Sequence, residues 1–246
     1  MNRLLLGLVV VGAAIAAGAF LLSPRSQTAP VAAVSSVTMS TPMGQSRDPN
    51  DPGEEHYRQG RYPEALAYWT AEAAKGNPQA AHRLGVEFMD GKGGVVPGCT
   101  QSRCPDFEKA MKYHRQAALA GNPLSMFDIG SMFEFGLGRP ADIGLAARWY
   151  GHAADYGLAQ GQHNYATMLE AGEGVQQNLV EAYKFFVLAA RGGFTGIPYN
   201  NKSFRIDRDA PLPTDLLRAK MTPQQVEEGK ELADKFKPLT GPLAGE

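Results

Sequence analysis

The stretch AMKYHRQAALAG at residues 110–121 decides the fold, because related versions of it recur along the chain. The other copies are ALAYWTAEAAKG at 65–76, AARWYGHAADYG at 146–157 and AYKFFVLAARGG at 182–193, so the closing glycines lie 45, 36 and 36 residues apart. Every copy has alanine at its first and ninth positions and an aromatic residue at its fourth. Residues at these three positions lie on one side of a helix, where the small alanines let a neighbouring helix approach closely. The stretch therefore predicts the second helix of a repeated helix pair.

A second set of matching positions precedes three of these copies and predicts the first helix of each pair. Each first helix is followed by a Gly-x-Gly pair, which is typical of a helix that ends in a left-handed residue. Two of the closing glycines are followed by Asn-Pro, a pattern that favours the start of the next helix. The matching first-helix positions are Leu84, Ile129 and Tyr165; Gly85, Gly130 and Ala166; and Phe88, Phe133 and Leu169.

These helix pairs resemble Sel1-like repeats, which are relatives of the tetratricopeptide repeat. The resemblance covers units at 80–121, 125–157 and 161–193, after a truncated unit that starts near Gly60. It implies an all-α fold, namely an α/α solenoid of Sel1-like helix pairs over residues 53–196. Residues 197–246 are expected to form an irregular connection and capping helices at 214–220 and 222–237, the second starting with a Thr-Pro-Gln-Gln capping box.

The N-terminus predicts export from the cytoplasm. Residues 4–22 are uncharged and, as a helix of about 28 Å, would match the hydrocarbon thickness of a bilayer. We expect residues 1–22 to be an uncleaved anchor in a bacterial inner membrane, with the rest of the chain in the periplasm. A cleaved signal peptide, which would leave a periplasmic or secreted protein, is the alternative. Residues 23–52 are rich in Ser, Thr, Pro and Ala and predict a disordered tether.

Both cysteines lie in a nine-residue insertion between the two helices of the first full unit. In an exported protein, Cys99 and Cys104 are expected to form a disulfide that shapes this loop. A metal site combining them with His82 or His114 is disfavoured, because two thiols at this spacing without a second cysteine pair are a weak match to known zinc sites.

Composition and motifs exclude several classes of function. The chain has 24 Lys and Arg against 25 Asp and Glu among 246 residues, so it lacks the basic excess of a nucleic-acid-binding protein. No catalytic or phosphate-binding motif is present, and His114 falls in the second aromatic position of its repeat, which favours packing. We expect no cofactor, no metal and no nucleic acid.

The resemblance implies a function in protein binding. In tetratricopeptide-like arrays the inner, concave wall is lined by first-helix residues, and here Phe127 would offer an exposed ring to a peptide or helix. We therefore expect a non-enzymatic adaptor of the cell envelope whose partner is another protein or peptide. The alternatives are an enzyme acting on cell-wall fragments or β-lactams, although such relatives carry a cysteine pair in every repeat, and a secreted effector that binds a host protein. The residues expected to bind the partner are His82, Val86, Met89, Phe127, Ser131, Glu134, His163, Thr167 and Glu170.

Overall fold

The computed structural model describes residues 50–91, 104–194 and 211–244, and every regular element in these ranges is an α-helix. The prediction of an all-α fold is therefore confirmed. The helices, in chain order, are α1 (Pro52–Arg58), α2 (Tyr62–Ala74), α3 (Pro78–Asp90), α4 (Phe107–Leu119), α5 (Pro123–Phe135), α6 (Ile143–Asp155), α7 (Ala159–Ala171), α8 (Leu179–Arg191), α9 (Pro213–Arg218) and α10 (Pro223–Lys235).

Consecutive helices pack as pairs, and each pair packs against the next. Helices α1 and α2 form the truncated unit, while α3 with α4, α5 with α6 and α7 with α8 form the three full units. The alanines at the first position of the repeated stretch are all completely buried. At the ninth position Ala73, Ala118 and Ala154 are buried. Ala190 is exposed, because within the described ranges no further unit follows to cover it.

The predicted helix boundaries are confirmed by the capping contacts. The side chains of Asn77 and Asn122 accept backbone N–H groups in the first turns of α3 and α5, each of which has proline in that turn. The first helices end at Gly91, Gly136 and Gly172, whose φ angles of 61°, 67° and 74° lie in the left-handed region that favours glycine.

The C-terminal helices cover the last unit. Thr222 and Gln225 form the expected capping box, with both reciprocal hydrogen bonds present at the start of α10. Helix α10 packs on α8 through buried Val226, Gly229 and Ala233. A Cβ atom at Gly229 would lie 2.9 Å from the ring of Tyr183, so glycine permits this close approach.

Beyond α10 the chain turns back along the stack, which the sequence did not predict. The backbone N–H of Leu239 donates to the carbonyl of Asp155 at the end of α6 (2.9 Å), and that of Leu243 donates to the carbonyl of Leu119 at the end of α4 (3.0 Å). Gly121 lies so close to this tail, residues 236–244, that a Cβ atom there would overlap the carbonyl oxygen of Gly241. The tail thus touches two units that are distant from it in sequence.

Four predictions fall wholly or partly on segments outside the described residues. These segments hold the apolar stretch 4–22, the tether up to residue 49, residues 92–103 of the loop that contains the insertion, and residues 195–210 of the expected irregular connection. Within the described ranges, no helix has both the length and the apolar character needed to cross a bilayer. Cys99 is outside the described residues, so the disulfide expected between it and Cys104 stays a prediction.

Candidate functional site

The structure divides the nine residues expected on the binding face into two groups. Six of them are at least partly accessible, namely Val86, Phe127, Glu134, His163, Thr167 and Glu170. The other three, His82, Met89 and Ser131, are buried, with at most 9% of their surface exposed. The expectation that these three would contact a partner was therefore wrong.

Two of these burials have an evident cause. The ring of His82 on α3 turns toward the next first helix, where its Nδ1 lies 2.9 Å from the hydroxyl oxygen of Ser125 on α5. Ser131 turns instead toward its own second helix and hydrogen-bonds Tyr150 at 3.0 Å. In this stack, part of the first-helix face thus lies within the helix junctions rather than on the surface.

A ring contact and a short hydrogen bond fix the centre of the accessible face. Phe127 is partly buried against Tyr150, with the ring centroids 5.3 Å apart. The Tyr150 hydroxyl donates to Glu134 Oε2 at 2.6 Å, which leaves the Ser131 hydroxyl to donate to the Tyr150 oxygen. Burial and the nearby Glu134 carboxylate raise the pKa of Tyr150 well above its usual value, so the hydroxyl keeps its proton. Phe127 is therefore held in a defined position.

Farther along the face, His163 lies between two aromatic rings. Its ring meets Phe186 and Phe194 edge to face, at centroid distances of 5.3 and 5.1 Å. Burial lowers the pKa of His163, so the imidazole is neutral at pH 7 and can both donate and accept a hydrogen bond. Glu170 on the same helix pairs with Lys220 at 2.7 Å. The accessible face thus combines apolar rings with polar groups.

Beneath this face, four polar side chains from three helices meet in the interior. We refer to His82 on α3, His114 on α4, and Ser125 and Asp128 on α5 as the buried polar cluster; none exposes more than 4% of its surface. Both histidine Nδ1 atoms lie 3.5 Å from Asp128 Oδ2. They also lie 2.9 Å (His82) and 3.3 Å (His114) from the Ser125 hydroxyl oxygen.

Burial governs the protonation of this cluster. It raises the pKa of Asp128 to about 8, with the neighbouring Asp90 carboxylate acting in the same direction. It lowers the pKa of His82 to about 4 and that of His114 well below the usual value. At pH 7 the folded protein therefore holds two neutral imidazoles beside a largely protonated carboxyl group.

The cluster occupies equivalent positions of the repeat. His114 stands at the fifth position of the repeated stretch, where other units have Trp69 and Tyr150. Asp128 stands at the first-helix position that Arg83 and Asn164 occupy in other units. At each junction the fifth-position residue of one unit meets this first-helix residue of the next unit. The Arg83 guanidinium lies 4.9 Å from the Trp69 ring centroid, and Asn164 hydrogen-bonds Tyr150. The burial predicted for His114 is confirmed, whereas Asp128 and Ser125 were missed. The sequence signal that could have revealed Asp128 is its position, which lies 45 residues after Arg83 and is again polar.

Comparison with known proteins identifies the class. The Sel1 repeat family model matches residues 78–122, 123–157 and 159–194. The crystal structure of a Sel1 repeat protein from Oxalobacter formigenes superposes with a TM-score of 0.50 and 25% sequence identity, covering 56% of this chain and 54% of that one. The chain therefore contains three Sel1 repeats, arranged in an α-solenoid fold.

Two curated relatives match part of the chain. The chain is 31% identical over 97 residues to Activator of C kinase protein 1 of Saccharomyces cerevisiae, and 32% identical over 93 residues to the ERAD-associated E3 ubiquitin-protein ligase component HRD3B of Arabidopsis thaliana. Each match covers 38% of this chain, and the chain spans only 15% and 14% of the length of these relatives. The likeness therefore concerns part of each protein and not the whole.

Proposed function

We propose that this protein is a non-enzymatic scaffold that binds another protein or peptide on the accessible face of α3, α5 and α7. The observation that carries the proposal is the arrangement of Phe127 and His163, which belong to successive first helices and are each held by ring contacts. An aromatic side chain in a fixed rotamer buries apolar area on a partner at a low cost in conformational entropy. Neutral imidazole and carboxylate groups around it supply hydrogen bonds.

The relatives support a role in protein assemblies. HRD3B is by name a component of a ubiquitin-protein ligase, and Activator of C kinase protein 1 is by name an activator of a kinase. Both names describe action on or with another protein. Binding through the repeats is the property that this chain is proposed to share.

The proposal places the scaffold in the bacterial cell envelope. The support is the uncharged stretch of residues 4–22, which is long enough for one membrane span, followed by a polar segment that would let the repeats extend into the periplasm. The scaffold would then meet envelope proteins while remaining attached to the inner membrane.

Replacing Phe127 by alanine should weaken the binding of an envelope partner by about 1–3 kcal/mol, because the variant loses the apolar area that the ring would bury. The full chain would be used to capture a partner from its own envelope fraction, and the dissociation constant of the identified pair would then be measured. The helical circular dichroism of the variant should match that of the parent.

Two further variants make this test specific. Thr167→Glu places a charge at an exposed position of the same face without removing a packed ring, and it should also weaken binding. Arg115→Ala changes an exposed residue on the second helix α4 and should leave the affinity unchanged. Equal affinities for the parent, Phe127→Ala and Thr167→Glu would reject this face as the binding surface.

The anchor predicts the N-terminus of the mature protein. Edman sequencing or mass spectrometry of the membrane fraction should find that the mature chain retains residues 4–22, because this apolar stretch is long for a signal peptide and its small-x-small sites lie inside it. A mature terminus at or after Phe20 would reject the anchor and favour a periplasmic or secreted protein.

A further inference from the structure

We propose that the buried polar cluster is a site for a divalent transition-metal ion, with Zn²⁺ as the best match. His82 Nδ1, His114 Nδ1 and Asp128 Oδ2 would be its protein ligands, and they lie within 4.8 Å of one another. The Ser125 hydroxyl would take the fourth position. This inference concerns an interior site at a repeat junction, so it is independent of the proposed binding face and reverses our expectation that the chain binds no metal.

The distances agree with a tetrahedral ion. Zinc bonds to imidazole nitrogen and carboxylate oxygen are about 2.0–2.2 Å long, so neighbouring ligand atoms in a tetrahedral site lie roughly 3.3–3.6 Å apart. Asp128 Oδ2 is 3.5 Å from both histidine nitrogens. The Ser125 oxygen is 2.9 and 3.3 Å from the same two nitrogens. These four distances are close to those between tetrahedral ligands, so small side-chain shifts would bring the four donor atoms around one ion.

Hydrogen bonding alone does not satisfy this cluster. The Ser125 hydroxyl can donate to one imidazole and accept from the other, which accounts for both histidine Nδ1 atoms. Asp128 Oδ2, which is completely buried, then has no hydrogen-bond partner. An unpaired buried carboxyl oxygen is destabilising, and most such atoms in proteins are paired with a donor, a water molecule or an ion. A metal ion between the four side chains would give this oxygen its partner.

The donor types suit a cation, because neutral imidazole is the form in which histidine binds a metal. Of the two nearby charged groups, the Asp90 carboxylate favours a cation and the Arg83 guanidinium opposes it. A divalent ion would hold Asp128 as a carboxylate, and the nearby Asp90 carboxylate would offset part of the remaining positive charge. Imidazole and carboxylate donors without thiolate are suited to Zn²⁺, Co²⁺ or Ni²⁺ rather than to Cu⁺.

The test uses the full chain in detergent micelles, freed of metal by a chelator. Titration should show one Zn²⁺ bound per chain and a rise in the melting temperature, because the ion binds the folded state preferentially. Co²⁺ should give the visible bands of a tetrahedral ion without the thiolate charge-transfer band that cysteine ligands would produce. X-ray absorption at the zinc edge of the parent should show two imidazoles and oxygen ligands, which requires no variant to fold.

Matched variants assign the ligands. Asp128→Asn keeps the size of the side chain and resembles its protonated form, so the metal-free protein should fold, yet its affinity for Zn²⁺ should fall about 100-fold or more. His82→Gln should have a similar effect. Asp155→Asn and His152→Gln make the same chemical changes at partly buried residues outside the cluster and should bind Zn²⁺ like the parent.

Two results would overturn the proposal. The first is a folded parent that takes up no stoichiometric Zn²⁺ or Co²⁺ and whose melting temperature is the same with and without the ion. The second is Zn²⁺ binding of equal strength in the parent, Asp128→Asn and His82→Gln, or a cobalt spectrum with a thiolate band, either of which would place the ion elsewhere.

Discussion

Replacing Arg83 by alanine should lower the free energy of unfolding by about 3–5 kcal/mol, because the change removes a shared cationic partner from two buried carboxylates. The guanidinium lies 2.7 Å from Glu54 on α1 and 3.0 Å from Glu87 on its own helix. The side chain of Arg83 is 14% exposed, and those of Glu54 and Glu87 are 7% and 1% exposed. The same guanidinium lies 4.9 Å from the centroid of the Trp69 ring. One side chain thus joins the truncated unit to the first full one.

Chemical denaturation of the full chain, followed by circular dichroism, measures this loss. The matched control is Arg58→Ala, which breaks an ion pair of 2.7 Å with Glu55 on the surface, where both side chains are about half exposed. This control should leave the midpoint nearly unchanged, because water screens such pairs. If Arg83→Ala is as mild as Arg58→Ala, the buried network does not hold α1 in place.

Replacing Tyr150 by alanine should destabilise the protein by about 3–5 kcal/mol. Its ring is 1% exposed and lies against the backbone of Gly130, where a Cβ atom would be only 2.7 Å away. The ring also supports Phe127. Removing it would leave a cavity at the junction of α5 and α6 and would free the Ser131 and Glu134 side chains from their shared partner.

Tyr150→Phe separates the two contributions. It keeps the ring and removes only the hydroxyl, so the expected loss is about 1–3 kcal/mol, the penalty for leaving buried hydrogen-bonding groups unsatisfied. The melting temperatures should therefore fall in the order parent, Tyr150→Phe, Tyr150→Ala. Equal values for the two variants would show that the ring adds nothing beyond its hydroxyl.

The sequence predicted the fold well because the features that build it are local and repeated. Alanines such as Ala146, caps such as Asn122 and turns such as Gly136 each act within one or two helices, and the same pattern recurs every 36 or 45 residues. The pattern was informative because each copy supported the others. One exception was the tail after α10, which has no counterpart in the repeats and whose hydrogen bonds reach chain segments far away.

The candidate sites were harder to predict because they depend on where units meet. His82 seemed to be a surface residue by its place in the helix, but its ring meets Ser125, which is 43 residues farther along the chain. The type of residue at such a junction changes from unit to unit, from Arg83 to Asp128 to Asn164. The repeat places a polar residue at this position in each unit, but the spacing does not say which side chains it meets, so three-dimensional contacts were needed to bring the polar cluster together.

The returning tail has a consequence for how the array unfolds. In a simple solenoid each unit interacts only with its neighbours, so the ends can fray while the centre stays folded. Here the segment that follows α10, the cover of the last unit, also bonds the carbonyl ends of α6 and α4 in the two preceding units. Detaching α10 would strain or break these hydrogen bonds. Unfolding of the first or second full unit would in turn release the tail. The three full units are thereby coupled beyond their nearest neighbours, and cooperative unfolding of the array as a single block is the behaviour that this connection favours.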